Sequence, residues 1–460
     1  MRYDTIVVGA GAAGTAVAQE LARDREHQVL LLEAGAPKKS PDDWYTIVGD
    51  SDEIWPRRRV RRSAWTDPAQ YPSGLGLGGS ARINGMLALP GLPSDFNSWA
   101  AEFHAPSWTW AAVAPIVTDL TKRSSMPTKA QLSPLDIAMY RAAAEIGIDT
   151  DAQLALGDSG AGVIGISHDQ DGRTLSAEAL QPGRQLPKNL TVICDDAVTG
   201  FTSGTPMRVY CGNGHEYEAN QVVLTAGVLG TPALLQRAGV QRLGIGRNFR
   251  DHASIAIPLQ MRHDGPAAYW MDMAIRLDAR QPGDAMLLPF YRPDSRADGG
   301  AEAFLLAAAM CCDSAGEIIE DSTGQVCVEA RQLTSSADIE AMDVALDTAC
   351  ALIARISDIA VPTDEELMSV LRGSAGVARI NALSGYPGRL FHGCGTARVG
   401  RSDDPHAVVD ENGKVFGWDR LYVMDASILP RVPRAPTHVS TSVIATHLAR
   451  RLRLGQVATD

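Results

Sequence analysis

The segment Asp4-Thr5-Ile6-Val7-Val8-Gly9-Ala10-Gly11-Ala12-Ala13-Gly14 carries the strongest indication of the fold of this chain. Its first five residues form a short, largely apolar and β-branched run, which is typical of a strand. The glycines that follow precede a segment with Val17 and Leu21 on one helical face. A strand, a glycine-rich turn and a helix in this order form the start of a dinucleotide-binding unit. We therefore predict a Rossmann-like fold.

The residues of this unit have separate predicted roles. Gly9 permits the tight turn, Gly11 lets the backbone approach a pyrophosphate, and Gly14 lets the helix pack closely on the strand. The N–H groups that begin the helix face the phosphates. Residues 29–32 are a predicted second strand that ends at Glu33, whose carboxylate can accept ribose hydroxyls and would repel a 2'-phosphate. The pattern favours FAD or NAD over NADP, although a purely structural turn remains an alternative.

A second glycine-rich segment is Gly74-Leu75-Gly76-Leu77-Gly78-Gly79-Ser80-Ala81-Arg82-Ile83-Asn84-Gly85-Met86. It is too long and too rich in small residues for an ordinary turn, which indicates a large ligand against its backbone. The alternative is a flexible surface loop.

Two histidines near the C-terminus are candidate catalytic residues. His392 lies in Phe391-His392-Gly393-Cys394-Gly395-Thr396, and His438 lies in Pro436-Thr437-His438-Val439. Two imidazoles beside a redox cofactor would supply what alcohol oxidation needs, a group that takes the hydroxyl proton while hydride leaves the neighbouring carbon.

Together these segments resemble the glucose-methanol-choline (GMC) oxidoreductases. The loop at 78–86 resembles the family signature Gly-Gly-Ser-Ser-x-x-Asn-Gly-Met, and residues 224–235 resemble the second signature. Gly246-Arg247-Asn248-Phe249-Arg250-Asp251-His252 resembles the stretch that follows it, and the two histidine segments match the catalytic block. Five motifs in the family order span residues 4–449.

The resemblance implies an α/β fold, α+β overall, with the architecture shared by GMC enzymes and p-hydroxybenzoate hydroxylase. A Rossmann-like FAD-binding domain would be interleaved with an antiparallel-sheet substrate domain. We predict that residues 1–125, 188–255 and 386–460 form the FAD-binding domain. Residues 126–187 and 256–385 would form the substrate-binding domain.

The resemblance also implies contacts to FAD, carried over by position. The predicted cofactor-binding residues are Gly9, Gly11, Ala12, Ala13, Gly14, Glu33, Ala34, Gly79, Ser80, Asn84, Gly85, Met86, Leu87, Val198, Ala226, Asp425, Ala426, His438 and Val439. Among them, Glu33, Ala34 and Val198 would hold the adenosine. Residues 84–87 would flank the isoalloxazine.

The chain departs from the family pattern at three places. Some members attach FAD covalently through a histidine before the loop asparagine, and Ile83 stands there, so we predict non-covalent FAD. The arginine that commonly precedes Leu-Gly-Gly is absent from Tyr71-Pro72-Ser73-Gly74-Leu75-Gly76. Many relatives carry asparagine as the second catalytic residue, whereas this chain has a His-His pair.

The predicted reaction is oxidation of a CH–OH group of a small-molecule alcohol or sugar-like substrate. His392 would be the general base and His438 would hydrogen-bond the same oxygen, while hydride passes to the flavin N5 and electrons pass to oxygen or another acceptor. Alternatives are a dehydrogenase that feeds a quinone or redox peptide, an FAD-containing lyase of the hydroxynitrile type, and a noncatalytic FAD-binding protein. The resemblance does not identify the substrate or the oligomeric state.

Composition is consistent with a two-domain enzyme. The 460 residues are 45% hydrophobic and 21% charged, enough to bury a substantial core. A net charge of -12 disfavours nucleic-acid partners. The chain has no apolar run long enough to span a membrane and no room for a signal peptide, so we expect a cytoplasmic protein. Seven cysteines without CxxC spacing predict neither a disulfide framework nor a metal site.

Three further features have two interpretations each. The cluster Arg57-Arg58-Arg59-Val60-Arg61-Arg62 is either a solvated loop or a docking patch for an acidic partner or substrate. Trp270, Phe290 and Tyr291 either line the substrate pocket or pack in the core. His252 lies outside the catalytic pattern and is expected to be structural or exposed.

Overall fold

The computed structural model describes residues 2–37, 53–56, 58–63, 66–169, 172–173, 180, 185–296, 300–320, 325–383, 385–386, 388 and 390–457. The helices are α1 (Ala12–Leu21), α2 (Pro93–Glu102), α3 (Trp110–Thr121), α4 (Pro134–Glu145), α5 (Gly227–Arg237), α6 (Ser336–Ile353), α7 (Glu365–Gly373), α8 (Gly376–Ala382) and α9 (Thr437–Arg453).

Within the described ranges, the strands fall into three larger sheets and one hairpin. They are β1 (Arg2–Val8), β2 (Val29–Leu32), β3 (Arg58–Arg61), β4 (Ala69–Gln70), β5 (Gly160–Val163), β6 (His168–Asp169), β7 (Gly172–Arg173), β8 (Leu190–Ile193), β9 (Val198–Thr202), β10 (Met207–Cys211), β11 (Glu216–Leu224), β12 (Arg247–Phe249), β13 (Ala253–Met261), β14 (Met273–Leu277), β15 (Ala285–Arg292), β16 (Glu302–Ala309), β17 (Gly316–Glu320), β18 (Val326–Glu329), β19 (Ala360–Pro362) and β20 (Leu421–Val423).

A parallel sheet in the order β8, β2, β1, β11, β20 forms the nucleotide-binding part of the fold. Strands β10 and β9 extend it in antiparallel fashion from β11. Every residue of β2 is buried, as expected for a parallel strand that is covered on both faces. Helix α1 packs against α9 at this sheet. The Rossmann-like fold predicted from the first glycine turn is confirmed.

The register of the parallel strands brings their carboxyl ends together. Val8 pairs with Leu32 on one side and with Leu224 on the other, and Leu224 pairs with Val423. The residues that follow these strands therefore meet at one edge of the sheet. In open parallel sheets this edge is where ligands bind.

A six-stranded antiparallel sheet, in the order β19, β13, β16, β15, β14, β5, forms the second part of the fold. Its strands alternate between two environments, because successive side chains of a strand point to opposite faces. Ile257 of β13 and Leu305 of β16 are buried in the core beside α6. Their neighbours Pro258 and Phe304 face a large cavity on the other side.

A five-stranded sheet, in the order β12, β17, β18, β3, β4, connects segments that are distant in sequence. Strand β3 comes from the first predicted FAD-domain segment, and its parallel partner β18 comes from the predicted substrate segment 256–385. Strand β13 begins at Ala253, two residues before the predicted boundary at 255. The domain boundaries stay a prediction.

No helix among the described residues is both long and apolar enough to cross a lipid bilayer. The cytoplasmic location stays a prediction.

Packing of α6 on the six-stranded sheet generates a stability prediction. Leu346 is fully buried on this helix, so Leu346→Ala should lower the free energy of unfolding by about 2–5 kcal/mol through lost burial and a cavity. Urea unfolding measures the change. Leu156→Ala is the matched control because that side chain is 66% exposed, and equal unfolding midpoints for both variants would contradict the packing.

Candidate active site

A cavity of about 880 Å³ lies between the carboxyl edge of the parallel sheet and the exposed face of the six-stranded sheet. The predicted site residues that line it are Gly9, Gly11, Ala12, Ala13, Glu33, Ala34, Gly79, Ser80, Asn84, Gly85, Met86, Leu87, Val198, Ala226, His392, Asp425, Ala426 and His438. Two predicted contacts, Gly14 and Val439, are not among its lining residues. Val439 is fully buried on α9.

The glycines of the first turn have the geometry that their predicted roles require. Gly9 has φ of +99°, which a side chain disfavours. A Cβ on Gly14 would lie 1.8 Å from the Gly9 carbonyl oxygen, so only glycine lets α1 sit this close to β1. A Cβ on Gly11 would meet no protein atom within 4 Å and would take up space at the cavity wall. The backbone at Gly11 is thus open to a ligand.

The second glycine-rich segment packs directly against this turn. The Gly78 N–H donates to the Ala10 carbonyl over 2.8 Å, and Gly78 forms a β-bridge with Gly11. Arg82 is fully buried behind the segment, where its guanidinium donates to the Leu75 carbonyl over 3.0 Å and pairs with Glu53 at 2.6 Å. The segment is therefore a fixed wall of the cavity.

Glu33 is held at the end of β2 by backbone donors. The N–H groups of Ala10, Gly35 and Gly76 donate to its carboxylate over 2.8, 3.0 and 3.1 Å. Burial raises the pKa of Glu33 above 4.5, and these hydrogen bonds oppose the rise. Glu33 also lines the cavity, where a carboxylate suits the hydroxyl groups of a ribose.

Asp425 connects β20 to the start of α5. Its carboxylate accepts from the Gly227 N–H over 2.8 Å and from the Thr231 hydroxyl over 2.6 Å. The Ser427 N–H donates to the other oxygen over 2.9 Å. Burial raises the pKa of Asp425 above its usual range despite these bonds. The residue therefore fixes two chain segments at the cavity edge.

His438 lies in the first turn of α9 and contacts the second glycine-rich segment. Its Nδ1 is 3.0 Å from the side-chain nitrogen of Asn84. The Asn84 side-chain oxygen accepts from the Met86 N–H over 3.1 Å, which sets the orientation of the amide. The Asn84 nitrogen therefore donates to His438.

His392 is positioned by a buried polar cluster. Its backbone N–H donates to Asp251 over 2.7 Å, and the next N–H, that of Gly393, donates to the Tyr71 hydroxyl over 3.1 Å. Burial raises the pKa of Asp251 to about 7, opposed by the attraction of Arg62. Burial lowers the pKa of the His392 imidazole from 6.5 to about 4. His392 is thus neutral at physiological pH.

His252, which lies outside the catalytic pattern predicted from the sequence, contacts His392. It is fully buried, as expected of a structural residue, but its Nδ1 lies 2.8 Å from Nδ1 of His392. The only sequence indication of a role for His252 was its place beside Asp251 in the motif from Gly246 to His252. Sequence alone does not show that this motif packs against the His392 segment.

The described residues of the arginine cluster are not a solvated loop, and their side chains lie in different environments. Arg57 lies outside the described residues, and the next four residues form β3. Arg59 is exposed, whereas Arg58 lines the cavity and Arg62 lies 5.3 Å over the Phe391 ring. The alternating positions of Arg58, Val60 and Arg62 could have indicated a strand with these three side chains on one face.

Arg58 is a cation at the cavity wall that the sequence analysis did not assign. Its guanidinium lies 4.6 Å over the Trp55 ring. Burial lowers the pKa of Arg58 to about 10, so it is charged at neutral pH. In the described part of the chain, no carboxylate forms an ion pair with it. A half-buried cation in this position suits an anionic ligand group.

The part of the cavity next to the six-stranded sheet is apolar. Its lining residues there are Leu87, Ala256, Pro258, Met271, Leu288, Phe290, Phe304, Leu306, Tyr386, Leu390 and Phe391. Phe290 and Phe304 stack with their centroids 4.3 Å apart. Of the three predicted aromatics, Phe290 lines the cavity, Tyr291 is buried in the core, and Trp270 packs edge-on against Phe290.

These features fit FAD. The open backbone at Gly11, the first turn of α1 and the Arg58 cation suit a diphosphate, and Glu33 suits an adenosine ribose. Ile83 also lines the cavity and offers no nucleophile for a covalent bond to the cofactor.

Comparison with known proteins gives a consistent result. Family models described as GMC oxidoreductase match residues 3–254 and 313–445. The 5-(hydroxymethyl)furfural oxidase of Methylovorus sp. is 28% identical, over 97% of this chain and 98% of the relative. An oxygen-dependent choline dehydrogenase of Paraburkholderia phytofirmans is 26% identical, over 98% of this chain and 94% of the relative.

Solved structures share the fold. The crystal structure of pyridoxine 4-oxidase from Mesorbium loti superposes with a TM-score of 0.83 at 24% sequence identity. The match covers 98% of this chain and 99% of that protein.

The position of Arg58 generates a prediction about cofactor affinity. Arg58→Gln should weaken FAD binding by about 10- to 100-fold, because a hydrogen bond to a charged group contributes about 1.5–3 kcal/mol. Titration of the apoprotein with FAD, followed by flavin fluorescence, measures the dissociation constant. Arg59→Gln removes an exposed arginine from the same strand and should bind FAD normally. The same affinity for both variants would show that Arg58 has no such role.

Proposed function

Because this chain belongs to the GMC oxidoreductase family and is an FAD-dependent enzyme acting on CH–OH groups, we propose that it oxidises small alcohols with an apolar or aromatic body. We further propose that His392 takes the hydroxyl proton and that His438 donates a hydrogen bond to the same oxygen. The observation that carries this proposal is that both imidazoles line one cavity beside the apolar wall.

The contacts of His438 support its role as the donor. Because Asn84 donates to Nδ1, that nitrogen is an acceptor and the ring proton lies on Nε2. An N–H at this position can stabilise the negative charge that develops on the substrate oxygen.

The environment of His392 supports its role as the base. A general base must be unprotonated before the reaction, and burial keeps the pKa of His392 near 4. Bound FAD supplies the acceptor for the hydride. The hydrogen bonds that the His392 and Gly393 N–H groups donate to Asp251 and Tyr71 hold this segment in place while the proton moves.

The apolar wall supports the substrate class. A sugar has many hydroxyl groups that require polar partners when they are buried. The described residues that line this part of the cavity include no charged side chain. Two of the similar proteins are named for furfural-type and pyridoxine substrates, which are aromatic alcohols.

Oxygen is the acceptor that we infer, since these similar proteins are named as oxidases or as oxygen-dependent. The alternatives are a dehydrogenase with another acceptor and a lyase in which FAD is structural. Both are outcomes of the substrate experiment described below.

Removal of the proposed base tests the mechanism. His392→Ala should reduce turnover by about 10²- to 10⁴-fold, the usual contribution of a positioned proton acceptor, and should retain FAD. Steady-state oxygen consumption measures turnover, and absorbance measures bound flavin. His263→Ala, at an exposed histidine, should behave like the unmodified enzyme. Near-normal turnover of His392→Ala would exclude the assignment.

Substrate class and acceptor are tested by anaerobic titration of the holoenzyme with benzyl alcohol, glucose and choline, followed by air. Benzyl alcohol should bleach the flavin band, and glucose should not, because the apolar wall offers too few polar partners for the hydroxyl groups of a sugar. Bleaching by choline would show that the aromatic rings of the wall accept a quaternary ammonium. Rapid recovery of colour in air supports an oxidase. Persistent bleaching would indicate a dehydrogenase, and the absence of bleaching by every alcohol would contradict redox chemistry.

A further inference from the structure

A second imidazole packs against the proposed base. His252 lies between β12 and β13 and is fully buried. Its ring meets the His392 ring at 89°, with centroids 5.0 Å apart and the two Nδ1 atoms 2.8 Å apart. At this distance one nitrogen must donate and the other must accept.

The other nitrogen of His252 decides which ring donates. Its Nε2 lies 3.0 Å from the Pro433 carbonyl oxygen, which can only accept. Nε2 of His252 therefore carries a proton. Burial and the neighbouring His392 hold the pKa of His252 well below 6.5, although the Pro433 and Met310 carbonyls favour the charged ring. His252 is thus neutral, and its Nδ1 has a lone pair and no proton.

The position of the proton on His392 follows from that of His252. Because Nδ1 of His252 accepts, Nδ1 of His392 must be the donor and must carry the single proton of that neutral ring. The remaining nitrogen, Nε2 of His392, then has the lone pair that a base requires. A free neutral histidine has no such restriction and exchanges its proton between both nitrogens.

We propose that His252 is a positioning residue, which selects the tautomer of His392 that carries its proton on Nδ1 and offers Nε2 as the proton acceptor. The proposal rests on the assignment of His392 as the base. When Nε2 takes the hydroxyl proton of the substrate, the Nδ1–H of His392 continues to donate to His252, so the imidazolium keeps its partner. The Pro433 carbonyl holds His252 in the orientation that this requires.

The two proposed site histidines would thus be set in opposite states by different neighbours. Asn84 donates to Nδ1 of His438, so the ring proton of His438 lies on its Nε2. His252 accepts from Nδ1 of His392, so Nε2 of His392 has the lone pair. One imidazole can donate to the alcohol oxygen and the other can take its proton. A purely structural role for His252 would not require this arrangement.

Nitrogen-15 NMR of histidine-labelled holoenzyme tests the tautomer directly. We expect His392 to carry its proton on Nδ1 in the unmodified enzyme, with His392→Ala used to assign the resonance. In His252→Phe, which retains bulk but removes the acceptor, the proton should shift to Nε2 or distribute between both nitrogens. A proton on Nε2 of His392 in the unmodified enzyme would overturn the proposal.

Anaerobic flavin reduction by benzyl alcohol provides the kinetic test. His252→Phe should slow reduction at saturating substrate by at least about tenfold, up to the roughly 10²- to 10⁴-fold contribution of a positioned base. His447→Phe is the matched control, since burial also lowers the pKa of His447 to about 4 and it lies outside the site. His252→Gln, whose amide oxygen can accept from His392, should recover part of the rate.

The outcomes separate this inference from the proposed function. If His392→Ala is inactive but His252→Phe reduces flavin at the normal rate, His392 is the base and His252 does not position it. If His392→Ala remains active, the base assignment fails, whatever tautomer NMR detects. Bound flavin and unfolding midpoints of His252→Phe are measured in parallel, and the tautomer measurement decides the proposal if that variant does not fold.

Discussion

The pairing of Val8 with Leu32 and Leu224 fixes the register of the central strands and thereby the position of the site. It aligns the carboxyl ends of β2, β1 and β11, and β20 joins them through its pairing with β11. A shift of one strand would move Glu33 or Asp425 away from the glycine turn. The cofactor cavity exists because these strands end at the same level, with backbone donors and acceptors concentrated at that edge.

Burial at this edge has an electrostatic cost that backbone groups offset. Glu33 and Asp425 are both removed from solvent, which raises the pKa of each carboxyl group. Backbone N–H groups donate to both carboxylates and hold them in fixed positions. The polar groups of the site are therefore arranged before a ligand arrives, and little reorganisation is required on binding.

The six-stranded sheet contributes to the site through the two faces of its strands. The side chains of Pro258 and Phe304 face the cavity, while Ile257 and Leu305 pack in the core beside α6. The same strands thus stabilise the domain and supply the apolar wall that we propose selects the substrate. Changes in the cavity-facing residues can alter that wall while the core face stays the same.

The fold class, the family and the FAD cofactor were predictable from the amino-acid sequence, and all three predictions are confirmed. These predictions were possible because each motif is contained in one short segment of the chain. The glycine turn, Glu33 and the histidine motifs each combine a residue type with the backbone conformation that it requires. The same motifs predicted His392 and His438 as catalytic residues, and the kinetic experiments test these roles.

Only the tertiary structure decided which other side chains reach the site. Arg58 belongs to a charge cluster whose sequence suggests a solvated loop, and its place at the cavity follows from the pairing of β3 with β18. His252 and His392 are 140 residues apart in the chain. Their contact depends on how two distant loops pack, and neither loop contains a local pattern that specifies its partner.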